Sequence, residues 1–138
     1  MLRHEYTHVV INELTKGNCP TWLNEGIAEV EGRKEFDAPL TELEKAAKSG
    51  ALLPVKSLED SFASLGGKEA TLAYQQSYSL VKFMVATYGW YKVRDVLLNL
   101  GDGMPINAAV AKAFADFGLT YKDVEGEWRA YLHKEFGG

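Results

Sequence analysis

The string His4-Glu5-Tyr6-Thr7-His8 constrains this chain more than any bulk property does. Two histidines four positions apart reach one small ligand only when the backbone between them is helical. On a strand they would stand about 13 Å apart, whereas on a helix they lie one turn apart on the same face. Two imidazoles so placed can take two corners of a tetrahedral zinc ion. Glu5 is rotated by about 100° from His4, beside such an ion rather than on it. A carboxylate there can accept a proton from a metal-held water, whose pKa the metal lowers toward about 7. The chain therefore has to begin with a helix. It also has to fold something else onto that helix, because a catalytic zinc usually has three protein ligands and an open fourth position.

Glu25 is the leading third ligand, on a second helix that the short connection from Leu14 to Thr21 can fold back against the first. Gly26 beside it, and nearly so Ala28, remove bulk where two helices must approach closely. By composition alone Glu13, Glu29 and Glu31 are rivals. The rest of the chain also reads as helices. Residues 2–15 carry Leu2, Tyr6, Val9, Val10 and Leu14 at helical spacing, and Gly17-Asn18-Cys19-Pro20 ends that run. Thr21 can cap a helix running to about Lys34, with a break at Asp37-Ala38-Pro39. Thr41 and Glu44 fit a capping box for a short helix through Ala47. Residues 51–67 read as mostly loop, with a helical turn near Leu58–Leu65. The longest helix is predicted from Lys68 to Tyr88, followed by helices over 90–100, from Pro105 towards Gly118, and from a Thr120 cap with Val124, Trp128, Leu132 and Phe136 inward. No alternating strand pattern, tandem repeat or low-complexity tract is found. The expectation is a mainly α, single domain over 1–138 with six to seven helices: a zinc-binding helix pair (1–35), a connecting region (36–67) and a helical C-terminal part (68–138).

The HExxH string followed by Trp22-Leu23-Asn24-Glu25-Gly26-Ile27-Ala28 resembles the gluzincin zinc metallopeptidases. It resembles in particular the peptidase MA-like families and the aminopeptidases that share WLNEG. Ala73-Tyr74-Gln75-Gln76-Ser77-Tyr78-Ser79-Leu80-Val81 and the tail from Tyr88-Gly89-Trp90 through Trp128-Arg129-Ala130-Tyr131-Leu132 also look like peptidase MA-like segments. The resemblance implies His4, His8 and Glu25 as zinc ligands, Glu5 as general base and peptide-bond hydrolysis as the reaction. It implies that Glu29 hydrogen-bonds the outer nitrogen of His4, and that Tyr74 donates to the oxyanion, with Tyr78 its rival one turn on. Asn24 is expected to hold His8 or the local backbone. Gluzincins normally carry a β-sheet before the HExxH helix, and this sequence has three residues there. The alternative is therefore a zinc-stabilised helical binding or structural module with little or no turnover.

Composition narrows the partners. A net charge of −4 without a Lys/Arg stripe argues against nucleic acid. No apolar run is long enough to cross a membrane, and no targeting segment assigns a compartment. Cys19 is the single cysteine, so no internal disulfide can form; a packing role is expected for it rather than metal ligation. His133 is expected at the surface. The expected partner is a peptide or protein substrate, with endopeptidase action favoured because no anchor for a free N-terminal amine is recognisable. Tyr6, Val9 and Val10 on an unprotected helix face predict self-association as a symmetric dimer.

Overall fold

The computed structural model describes residues 3–33 and 39–137, the side chains of Arg3 and His4 excepted. Among the described residues seven α-helices follow one another: α1 (Arg3–Thr15), α2 (Thr21–Gly32), α3 (Thr41–Ser49), α4 (Gly67–Tyr88), α5 (Trp90–Gly101), α6 (Ile106–Ala113) and α7 (Tyr121–Phe136). Short 3-10 turns lie at Val55–Leu58 and Ala115–Phe117. Among the described residues there is no strand, in line with the mainly α expectation. The expected end of the second helix near Lys34 and the break at Asp37 and Ala38 fall outside the described residues.

Helix α4 is the central element. It packs against α2 most extensively, and also against α3, α5 and α7. Its middle is buried almost all round, which an apolar stripe alone does not predict. Leu80, Val81 and Met84 join the core, while buried Gln75, Gln76 and Ser79 serve as internal connectors. Gln76 holds Leu53 at two points, accepting from its N–H at 2.8 Å and donating to its carbonyl at 2.9 Å. Ser79 Oγ accepts from the buried Trp128 Nε1 of α7 at 3.0 Å. Each polar group thus finds the partner that burial demands.

Two helix starts differ from the sequence reading for one physical reason. Thr21 and Thr41 are first helical residues, not caps; Pro20 and Leu40 occupy the cap positions, and neither start has a side-chain cap bond. The orphan N–H groups are satisfied from elsewhere in the fold. Thr21 N–H donates to the Glu59 carbonyl at 2.9 Å, and Leu43 N–H donates to Gln75 Oε1 at 2.9 Å. The capping box of Thr41 and Glu44 is therefore not formed. Pro105 likewise precedes its helix by one residue, and that helix ends at Ala113, ahead of Gly118. The helical turn expected near Leu58–Leu65 lies earlier, at Val55–Leu58. By contrast, Thr120 caps α7 as its sequence predicts, in a capping box with Asp123.

Gly26 is required by packing. A Cβ there would lie 2.4 Å from the Ser77 carbonyl oxygen and 2.4 Å from Val81 Cγ2. The close approach it permits is between α2 and α4, rather than between α2 and α1. Gly101 plays the same part between α5 and α1, where a Cβ would meet the Leu14 carbonyl oxygen at 2.3 Å.

Candidate metal centre

Helices α1 and α2 are packed neighbours across the turn at Lys16–Pro20, a turn that Asn18 fixes by donating to the carbonyls of Leu100 and Met104, both at 2.9 Å. This arrangement turns His8 toward the first half of α2. His8 Nε2 stands 3.3 Å from Glu25 Oε1, and His8 Nδ1 stands 2.5 Å from Asn24 Oδ1. Asn24 Nδ2 in turn donates to Asn12 Oδ1 at 3.2 Å. The Asn24 amide oxygen faces the imidazole, and since that oxygen can only accept, His8 donates from Nδ1. In the neutral ring, Nε2 then carries the lone pair and points it at a carboxylate.

Two donor atoms that face one another in this way suit a cation between them. Zinc bonds of about 2.0–2.2 Å at a tetrahedral angle put neighbouring ligand atoms about 3.4 Å apart. The observed 3.3 Å matches that edge. A hydrogen bond from the outer ring N–H to an oxygen acceptor is the usual support for a metal-ligating imidazole, fixing tautomer and ring direction, and the Asn24 amide oxygen can serve as that acceptor. With both ring nitrogens protonated, the same atoms would instead form an ion pair. The residues present therefore fit zinc at two corners. Among the described residues no group of three or more His, Cys, Asp or Glu side chains gathers closely enough to hold a metal. His4 lies in the first turn of α1, and its side chain is outside the described residues.

Glu5 is exposed on the first turn of α1. Glu29 Oε1 lies 4.0 Å from Arg33 Nη2; its expected partner is the undescribed His4 side chain. Tyr74 and Tyr78 are separated by the fold. Tyr74 is 37 % exposed and, with Glu25, lines a cavity of about 540 Å³. Tyr78 is 6 % exposed, lies under the Arg33 guanidinium at 4.5 Å, and does not line that cavity. Phe62 meets the Tyr74 ring edge-on at 5.1 Å. Burial, then the neighbouring carboxylates of Glu25 and Glu29, push the Tyr74 phenol above its ordinary value. Cys19 also lines the cavity; burial pushes its thiol up to about 12, so it is a neutral packing group. His133 is exposed.

The sequence reading missed Asn12, which steadies Asn24. Its signal was present: Asn12 continues the stripe of His4 and His8 at the next helical turn.

A model of the peptidase MA superfamily matches residues 1–134. Comparison with curated proteins and with solved structures found no match. With the match running from the HExxH helix through nearly all of α7, this chain belongs to the peptidase MA superfamily.

Proposed function

We propose that the chain is a zinc-dependent metallopeptidase of the gluzincin type, with His4, His8 and Glu25 as zinc ligands and internal peptide bonds as substrate. The observation that carries this reading is the 3.3 Å approach of His8 Nε2 to Glu25 Oε1, with Asn24 behind the imidazole. When bound, zinc supplies Lewis-acid polarisation of the substrate carbonyl and lowers the pKa of water. Glu5 takes the proton of the attacking water on its carboxylate and delivers it to the leaving amine. Tyr74 donates its phenolic hydrogen to the carbonyl oxygen as negative charge develops there. Asn24 and Asn12 keep the His8 lone pair aimed at the metal, and Glu29 does the same for His4. Endopeptidase action is favoured because, among the described residues, Glu25 is the one carboxylate lining the adjoining cavity. Once that group holds zinc, no other described lining residue offers a carboxylate to anchor a free N-terminal amine.

Elemental analysis and hydrolysis of an unstructured protein such as casein test this together. The parent should bind one zinc and cleave casein. His4→Ala, His8→Ala and Glu25→Ala should each lose most of the metal. Glu5→Gln should keep zinc and lose hydrolysis, because an amide cannot accept the proton. Full zinc occupancy in Glu25→Ala would refute the ligand set. A zinc-loaded parent that cleaves nothing would leave a metal-stabilised binding module.

A further inference from the structure

Three segments line the cavity beside Glu25: the first half of α2, the first half of α4, and residues 61–63 and 65 of the stretch that leads into α4. Tyr74 belongs to the second. Its hydroxyl makes no hydrogen bond to another described residue. A group that is to donate to a developing oxyanion has to be uncommitted beforehand, yet already aimed. Nothing at the hydroxyl aims this one. The rotamer does not fix the plane of the ring either, because the terminal torsion of tyrosine is broad. Its direction therefore has to come from what packs against the ring.

Phe62 supplies that packing. It is 6 % exposed and meets the Tyr74 ring edge-on, with centroids 5.1 Å and planes 87° apart. Aromatic pairs favour this arrangement. Among the described residues it is the one ring contact that Tyr74 makes. Phe62 is itself held by local backbone bonds. Its carbonyl accepts from Leu65 N–H at 3.0 Å, and Ser61 Oγ accepts from Ala63 N–H at 3.1 Å. Three residues earlier, Glu59 is fastened twice. Its carbonyl accepts from Thr21 N–H at 2.9 Å, and its carboxylate accepts from the Tyr121 hydroxyl at 3.0 Å. Tyr121 in turn accepts from Nε1 of the buried Trp22 at 2.9 Å. Thr21 and Trp22 open α2, the helix that carries Glu25. The stretch that presents Phe62 is thereby tied to the helix that presents the proposed metal ligand.

We propose that Phe62 is a positioning residue for Tyr74, and that Glu59, clasped by Thr21 and Tyr121, keeps Phe62 in register with Glu25. This rests on the peptidase reading and adds how its oxyanion donor is aimed. Tyr74 matters when negative charge develops on the carbonyl oxygen, so a loosened ring should lower kcat far more than it changes KM. A misplacement of about 1 Å can cost about 100-fold in rate. Phe62→Leu, which keeps apolar bulk but removes the ring, should therefore lower kcat by about 10- to 100-fold at unchanged zinc affinity. Glu59→Ala should lower it by a smaller factor. Glu59→Gln should restore it, because an amide oxygen still accepts from the Tyr121 hydroxyl.

The test joins kinetics on an internally quenched peptide, built on a casein cleavage sequence, to proton NMR of the Tyr74 ring. The ring signals are assigned by their loss in Tyr74→Phe. They should shift in Phe62→Leu and in Glu59→Ala, and keep the parent positions in Glu59→Gln. The kcat loss of Phe62→Leu should vanish in a Tyr74→Phe background, since a positioning residue has nothing left to position there. An equal loss in both backgrounds, or unmoved Tyr74 signals, overturns the proposal while leaving the peptidase reading standing. If Phe62→Leu does not fold, the Glu59→Ala and Glu59→Gln pair decides by the same two readouts. If the zinc-loaded parent cleaves nothing, the peptidase reading fails, and the NMR shifts alone then decide whether Phe62 and Glu59 hold the Tyr74 ring.

Discussion

Adding one methyl group at Gly26 should disturb both the fold and the metal centre. The alanine Cβ would sit 2.4 Å from the Ser77 carbonyl oxygen and from Val81 Cγ2. The valine can rotate away, but the carbonyl belongs to the backbone of α4 in mid-helix. Relief requires α2 to move outward by about 1 Å, the shortfall from an ordinary contact of about 3.4 Å. Overpacking of this kind costs about 1–3 kcal/mol or more, against a helix-propensity gain of under 1 kcal/mol. A net loss of about 2 kcal/mol is expected. For a domain of this size that lowers Tm by roughly 6–10 °C. Glu25 precedes Gly26 and faces Tyr74 across the same gap, so zinc affinity should fall too, and turnover by about 100-fold for a displacement of that size. Gly126 of α7 is the control: nothing lies within 4 Å of a Cβ there. Gly126→Ala should stabilise by about 0.5–1 kcal/mol. Urea melts and competitive zinc titration of both variants check the argument. If Gly26→Ala gains stability as Gly126→Ala does, the close approach of α2 and α4 is not as tight as described.

Asn24→Ala should weaken zinc binding by about 10–100-fold at unchanged stoichiometry, because His8 loses the acceptor for its Nδ1–H; Glu29→Ala should do the same through His4. Affinities equal to the parent would remove either residue from the metal's support. Tyr74→Phe should lower kcat by about 100–1,000-fold with little effect on KM, whereas Tyr78→Phe should act on stability alone. The reverse result would move the oxyanion donor one turn along α4. Tyr6 is 58 % exposed and Val9 46 %, on a face of α1 that continues into exposed Leu14 and Trp90. Light scattering should therefore find a dimer whose dissociation constant rises in Tyr6→Lys; a strict monomer at high concentration contradicts this.

The sequence was most legible where structure is local. Thr120 and Asp123 satisfy one another within a single turn, so the start of α7 can be read directly. Thr21 and Thr41 carry the same kind of signal, but their helices begin with donors satisfied by Glu59 and Gln75. Those acceptors are distant in sequence, and no local pattern announces them. Gln75 and Gln76 read as polar interruptions of an apolar stripe, yet they are the connectors that hold α3 and the 53–55 segment to α4. The approach of His8 to Glu25 was legible because a helical repeat and a specific motif coincide on it. The cavity chemistry was not, since Phe62, Tyr74 and Glu25 meet only through the packing of α2 on α4.

The order in which this protein is made bears on when it could hold the proposed metal. The turn that sets His8 opposite Glu25 is fixed by Asn18, whose acceptors are the carbonyls of Leu100 and Met104, 82 and 86 residues later. Among the described residues helix α1 otherwise rests chiefly on α2 and α5. A nascent chain that has just completed α2 carries every proposed ligand but lacks the support that orients them. At about 5–20 residues per second, roughly 4–16 s of synthesis separate the ligands from that support. During this interval the proposed ligands His4, His8 and Glu25 would be donors that no fold yet orients, open to any borderline metal ion. Metal selection would then fall to the completed fold, which offers a fixed edge of 3.3 Å and can release an ion that does not suit it.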